Sequence, residues 1–341
     1  MKVELTLETV TPLFLGGVTQ QSELRPASFR GALHYWYRAL VGGVVGNDLS
    51  ALRLAESKVF GNTEGSSPVT LRLRGAMRPM TTFDLDKDNR GNQLRNGHNY
   101  LFYSTRLGDN HREPFAPPQS PAQTGVTLTL STRLGAYQGD IVVQHACAAA
   151  WLLTHLGGLG TRSRRCGGSL QVLQGSSTGL PEFAVTAQNA VELQQLLESG
   201  LRQIRTLTGT SRSPSLDFDV IHPDVCRVWV ITGDSPWETW KEAVEVMGTT
   251  MQKFRAAQGK DRNTFNSIFG VPILHGPNYG LQRRASPLWL RVTKLASGKY
   301  IGVATLFKAN FTASRCEVGG GYALIEQFIQ QFPVHSEVTY Q

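Results

Sequence analysis

Val3, Leu5 and Leu7 alternate with Glu4, Thr6 and Glu8, which predicts a half-buried strand over residues 2–10. After a polar loop from Gly16 to Arg25 the period lengthens: Phe29, Leu33, Trp36 and Leu40 recur at helical spacing. A helix is therefore predicted over 29–45 with Ser28 at its N-cap, and a second helical piece around 48–58. Alternation returns at Val69–Arg74, about Tyr100–Thr105 and Gly125–Thr132, each read as a strand. Between them lie two insertions, 78–98, rich in Asp, Asn and Gly, and 108–124, which holds four prolines and is expected to be irregular. An apolar run from Ile141 to Leu156 is a predicted helix capped by Asp140, and a strand follows at 169–174.

Without the insertions the order is strand, helix, two strands, helix, strand. That is the βαββαβ, ferredoxin-like arrangement that RNA-recognition modules also use. Residues 175–181 turn to Gly, Ser, Thr and Pro, as a linker would. The pattern then partly repeats: a strand at Val225–Thr232, a helix from Pro236 to Ala257, strands at Leu288–Lys294 and Lys299–Phe307, and a closing helix near 322–331. Ile268-Phe269-Gly270-Val271 echoes Val59-Phe60-Gly61-Asn62. The predicted fold class is α+β, with tandem ferredoxin-like domains at 1–180 and 181–341, the second copy divergent.

At 341 residues, 40% hydrophobic and 18% charged, the composition is that of an ordered globular chain of two domains. The net charge of +8 suggests a polyanionic or acidic partner without choosing among nucleic acid, lipid and protein. Cys147, Cys166, Cys226 and Cys316 form no C-x-x-C pair, so neither a zinc site nor a disulfide framework is expected and a reducing cytoplasm is. No signal peptide is read at the start. The helix 141–156 would be about 24 Å long and carries Gln144, His145 and His155, so no membrane span is expected.

The charge concentrates in Gly157-Gly158-Leu159-Gly160-Thr161-Arg162-Ser163-Arg164-Arg165-Cys166-Gly167-Gly168-Ser169-Leu170, which holds no acidic residue. Glycines allow close backbone approach, consecutive amides can form an anion-binding concavity, and arginine forks fit phosphate oxygens. The segment matches neither G-x-x-x-x-G-K-[ST] nor G-x-G-x-x-G. It also follows the negative end of a helix, so arginines and amides must do the binding, which favours an extended nucleic-acid backbone. A surface loop with incidental charge is the plain alternative.

The first helix carries a second stripe. Arg30, His34 and Arg38 lie 4 apart beside the apolar face, and Arg25 and Arg30 flank an N-terminus suited to an anion. A solvated face would look the same. Tyr35 and Tyr37 fall outside the apolar stripe and either stack on bases or cover the sheet edge. His34 could act as a general base on a 2′-hydroxyl, yet no second histidine or lysine accompanies it on the ridge. Asp84, Asp86 and Asp88 start like a calcium loop, but Arg95 stands where the closing glutamate belongs. No catalytic constellation, metal or cofactor is expected.

Three segments carry a family resemblance: Thr11-Pro12-Leu13-Phe14-Leu15-Gly16-Gly17, Glu23-Leu24-Arg25-Pro26-Ala27-Ser28-Phe29-Arg30-Gly31-Ala32-Leu33 and Phe60-Gly61-Asn62-Thr63-Glu64. With the loop 157–170 and Arg283-Arg284-Ala285-Ser286-Pro287-Leu288, they resemble the RAMP superfamily. Within it they resemble the family forming the first subunit of the Cmr (type III-B) CRISPR effector complex. The resemblance implies a non-catalytic subunit in antiviral defence. It would touch CRISPR guide RNA and single-stranded target RNA near the guide 3′ end, beside the backbone RAMP subunit and the sixth Cmr subunit. Two positions depart from the family: the loop ends Cys166-Gly167-Gly168 where Gly-aromatic-Gly is usual, and His34 stands where arginine is common. Carried over by position, and joined by the ridge and the rest of the loop, the expected RNA-binding set is Arg25, Arg30, His34, Arg38, Gly160, Thr161, Arg162, Ser163, Arg164, Arg165 and Gly167. A guide-processing endoribonuclease using His34 is the alternative.

Overall fold

The alternating apolar residues of the first half meet on one side of an antiparallel sheet. Strands β1 (Lys2–Thr9), β2 (Val69–Arg74), β5 (Val126–Thr132) and β6 (Leu170–Gln174) are ordered β2-β5-β1-β6. Register sets Leu5 opposite Leu128 and Leu7 opposite Val126, all buried. This computed structural model describes residues 1–16, 21–80, 83, 86–87, 90, 94–107, 110–111, 113–118, 125–133, 135, 138–209, 213–258, 268–270, 285–310 and 321–341. Gly17, Asp84, Asp88, Val271, Arg283, Arg284 and Cys316, with parts of the predicted insertions 78–98 and 108–124, lie outside the described residues.

Helices α1 (Pro26–Val45), α2 (Leu49–Phe60) and α4 (Gly139–His155) accompany that sheet. Helix α1 starts earlier than predicted, because Pro26 presets the first helical φ and needs no hydrogen-bond partner. Arg25 is its N-cap and Ser28 sits inside the first turn, its amide donating to the Arg25 carbonyl at 3.0 Å. Asp140 likewise lies within the first turn of α4 and binds the Met1 ammonium at 2.6 Å.

The predicted strand at Tyr100–Thr105 is instead helix α3 (Gly97–Phe102) followed by a 3₁₀ turn. Its start is held from both sides. Asn96 accepts from the Asn99 amide at 2.9 Å, and Glu245 of α6 (Trp240–Ala257) accepts from the amides of Gly97 and His98 at 2.9 and 2.8 Å. Helices α3 and α6 cross at Gly97 and Gly248, where a Cβ on Gly248 would lie 2.1 Å from the Gly97 carbonyl oxygen. A small ribbon, β3 (Arg106–Leu107) and β4 (Asn110–His111), follows.

The second half repeats the plan. Strands β7 (Cys226–Thr232), β8 (Leu288–Lys294), β9 (Tyr300–Phe307) and β10 (Val334–Glu337) are ordered β10-β7-β9-β8, with α6 and α7 (Gly321–Ile329) as its helices. In each half the fourth strand borders the first, the first the third and the third the second. These are tandem ferredoxin-like units. Strand β10 was not anticipated, nor was α5 (Ala190–Thr208), whose Leu193, Leu197, Leu201 and Ile204 are buried.

The second sheet is buried on both faces. Trp229, Ile231, Ala304 and Leu306 pack with Met247 and Phe328 of α6 and α7. Val228, Val230, Val303 and Phe307 join the core of the first half. Four layers result: first sheet, helices, second sheet, helices. Trp36 of α1 sits at the middle seam, its ring centroid 5.3 Å from Trp289 and 6.0 Å from Phe307. Arg291, fully buried, crosses the same seam. It donates to the carbonyl of Thr154 at the end of α4 and, at 2.8 Å, to that of Leu170 in β6.

Candidate nucleic-acid interface

The loop 157–168 is wedged between the two halves. Gly157 lies so near Trp36 that a Cβ would meet the indole at 2.5 Å. The amide of Leu159 donates to Gly168, that of Thr161 to Phe14, those of Arg165 and Gly167 to Arg162, that of Cys166 to Leu290 and that of Gly168 to Pro12. These bonds correct the expectation of an open amide concavity, since each of these donors already has a carbonyl. Gly160 rests against the Phe14 carbonyl and Gly167 against that of Thr161. Arg162 and Cys166 adopt φ of 65° and 66°, unusual for residues with side chains.

The three loop arginines lie together in the chain but diverge in space. Arg162 donates to the Leu101 carbonyl of α3 and lies 5.3 Å over the Tyr103 ring. Arg164 reaches the Ser286 carbonyl and, at 3.5 Å, Asp219, with its guanidinium 4.5 Å over Trp289 and 5.4 Å over Tyr35. Arg165 donates to the carbonyls of Leu288 and Phe269 at 3.0 and 2.9 Å and to the Ser286 hydroxyl at 2.9 Å. Burial, with the charge of Arg162, lowers the Arg165 pKa to about 10. Burial likewise lowers that of Arg162. All three therefore pin the loop to neighbouring elements. Thr161 and Ser163 remain half-exposed.

The ridge on α1 is present, but α2 brings it a counter-charge. Glu56 accepts from Arg38 at 3.2 Å and lies 2.5 Å from His34 Nδ1. Burial raises the Glu56 carboxyl, but the His34 hydrogen bond and the Arg38 charge outweigh it and hold the pKa below its ordinary value. The His34 ring packs on Phe60 at 4.5 Å. Arg30 donates to the carbonyls of Phe60 and Val69 at 3.1 and 3.4 Å. Arg25 and Arg38 are the ridge's exposed cations.

Both tyrosines are engaged inside the protein. Tyr35 donates to Asp219 at 2.6 Å, and the Tyr37 hydroxyl lies 3.0 Å from His145 Nδ1. The outward row of the first sheet comprises Glu4 and Thr6, Thr127 and Thr129, and Arg72 and Arg74, with no aromatic platform among them. Sequence reasoning overlooked Glu56, which meets the ridge only once α2 packs on α1. It also overlooked the exposed Arg53 and Lys58 of α2 and Arg72 and Arg74 of β2, whose periodic signal was read for structure alone. Among the described residues no group of three His, Cys, Asp or Glu could hold a metal ion, and no helix is long and apolar enough to cross a membrane.

Comparisons place this geometry among known proteins. Residues 6–171 match the sequence profile of the RAMP superfamily. The chain is 26% identical over 333 residues to CRISPR system Cmr subunit Cmr1-1 of Pyrococcus furiosus, covering 90% of this chain and 88% of that protein. It is 28% identical over 182 residues to Cmr1-2 of the same organism, covering 49% of this chain and 92% of that one. The fold is similar to the apo crystal structure of Pyrococcus furiosus Cmr1, with a TM-score of 0.68 at 22% identity over 100% of this chain and 99% of that one. It is also similar to a chain of a type III-B Cmr-beta complex bound to cognate target RNA and AMPPnP in the presence of ssDNA. There the TM-score is 0.58 at 13% identity, covering 96% and 99% of the two chains.

Proposed function

We propose that this RAMP superfamily protein, which resembles the Cmr1 subunit of type III-B systems, is a non-catalytic RNA-binding subunit of a cytoplasmic Cmr effector complex. It contacts guide RNA, single-stranded target RNA or both near the guide 3′ end, beside the backbone RAMP subunit and the sixth Cmr subunit. The observation carrying this reading is the likeness to a Cmr subunit across 333 residues. The net charge of +8 fits it. The RNA path runs along α1 and the loop. Arg25 and Arg38 take phosphates, with Arg30 and His34 held between them. Thr161 and Ser163 offer hydroxyls, while Gly160, Arg162, Arg164, Arg165 and Gly167 form a rigid wall. Residues 1–180 and 181–341 are the two proposed domains.

One observation favours a second reading. The Glu56 carboxylate at 2.5 Å orients His34 as a base-orienting acid would, which suits an endoribonuclease.

One experiment separates the two. Labelled single-stranded RNA is titrated with the wild type, an Arg25→Ala/Arg38→Ala variant and a His34→Ala variant, then recovered on a denaturing gel. Removing two phosphate contacts should weaken binding on the order of tenfold at 0.1 M salt, with the RNA intact throughout. Unchanged affinity would remove the α1 path. Cleavage lost in His34→Ala would establish the nuclease instead.

A further inference from the structure

Between Arg38 of the ridge and Arg164 of the loop lies a cleft of about 440 Å³. Helix α1 forms one wall with Tyr35, and α2 adds Leu52. Phe218 also lines it, its ring held against α1 so closely that a Cβ on Gly42 would meet it at 2.7 Å. The cleft therefore joins an aromatic and aliphatic lining, Tyr35, Leu52 and Phe218, to an arginine from α1 and another from the loop. A volume of this size suits a single small ligand or nucleotide.

Its two carboxylates differ in state. Asp219 already accepts from Tyr35 at 2.6 Å and faces Arg164 at 3.5 Å. Asp217, which also lines the cleft, is exposed, and its carboxylate has no protein partner among the described residues. An unengaged carboxylate has two oxygens that only accept hydrogen bonds. An occupant matching these features needs a flat apolar body, two adjacent N–H donors and a negative charge for the arginines. Guanine alone among the RNA bases has adjacent donors, N1–H and the N2 amine, on its Watson–Crick edge. Adenine and cytosine set an acceptor beside their amine, and uracil has a single donor. Unstacked bases of single-stranded RNA are commonly read on this edge while lying against aromatic or guanidinium planes.

We infer that the cleft receives one unstacked guanine of the bound RNA, its Watson–Crick edge on Asp217, its ring against Phe218 and its phosphate on the exposed Arg38. The inference rests on the RNA-binding reading above and adds a base preference to it.

The test uses the full chain and three ten-nucleotide RNAs, followed by fluorescence anisotropy: oligouridylate, the same oligomer with one central guanosine, and the same with inosine there. Guanosine should tighten binding about tenfold over uridine, as a bidentate base contact does, and inosine, lacking the N2 amine, should recover only part of this. In Asp217→Asn, an exposed substitution, the guanosine increment should vanish, so that all three RNAs bind the variant alike. Phe218→Leu should reduce the increment as a second check, with circular dichroism confirming the fold. Equal affinity for all three RNAs in the wild type would overturn the guanine site, leave RNA binding standing and point to a basic side chain of a neighbouring protein as the occupant. If no oligomer binds, both readings fall.

Discussion

His155 shows how far burial governs a single residue. Its ring is stacked on Trp151 at 4.0 Å, and Nδ1 lies 2.9 Å from the Trp151 carbonyl, so the neutral form donates there and Nε2 is left without a partner. Burial, reinforced by the Arg291 charge, pushes the pKa from 6.5 down to about 3. As pH falls the unfolded chain takes up this proton first. The stability held by the neutral ring is thus complete above about pH 6.5 and is lost progressively down to about pH 3. Within that window the loss runs at roughly 1.4 kcal/mol per pH unit. Urea unfolding at pH 6.5 and 4.5 should show a drop of on the order of 2–3 kcal/mol from this residue. His155→Phe, which keeps a stacked ring, should remove that share of the drop. An unchanged pH slope in the variant would mean that the proton enters elsewhere.

At the scale of elements, the loop behaves as a packed part of the molecule. Gly168 has a φ of 62°, and a Cβ there would lie 1.9 Å from the Leu159 carbonyl oxygen. Gly298 has a φ of 84° but nothing within 4 Å of the same position. Gly298→Ala should therefore cost about 1–2 kcal/mol, the left-handed penalty alone. Gly168→Ala adds a backbone clash and should cost well beyond that, on the order of 3 kcal/mol or more. Thermal unfolding of the two variants side by side measures the difference. Equal losses would mean that the loop has room to relax.

The same loop marks where sequence reading stops. The first sheet and three strands of the second are legible because strand periodicity survives in isolation, and even the doubly buried β7 and β9 read as apolar runs. Helix α5 is legible too, through Asn189 and Glu192 of a capping pair and its spaced leucines. Helix α3 is not, because a Glu245 carboxylate 148 residues away secures its first turn. The same distance hides the partners of the loop arginines. Arginines in a glycine-rich run look available, yet their partners, Leu101, Phe269, Ser286 and Leu288, come from distant segments. Short-range pattern singled out the candidate residues, and long-range packing decides which of their side chains are exposed.

At the scale of the whole molecule, the four layers make the proposed division at 180/181 a division of topology more than of core. Trp151 of α4 donates to the Glu182 carbonyl at 3.0 Å, and Gly200 of α5 lies against the same indole. Co-expressed fragments 1–180 and 181–341 should consequently copurify, whereas 181–341 alone should aggregate through the uncovered face of its sheet. Recovery of that fragment as a monomer by size-exclusion chromatography would contradict the shared core.

Arg291 gives this arrangement a direction in time. Its guanidinium is wholly buried and, among the described residues, donates to no carboxylate; its partners are the carbonyls of Thr154 at the end of α4, Leu170 in β6 and, at 3.5 Å, the adjacent Val292. Those carbonyls are in place only when the first unit has folded. During synthesis the ribosome releases that unit first, so the receptor for the cation is finished before β8 emerges. A chain whose first unit is misformed would have to strand the cation in apolar surroundings, and its second unit would stay open to proteolysis. The buried arginine thus ties the docking of the later half of the polypeptide to a folded earlier half.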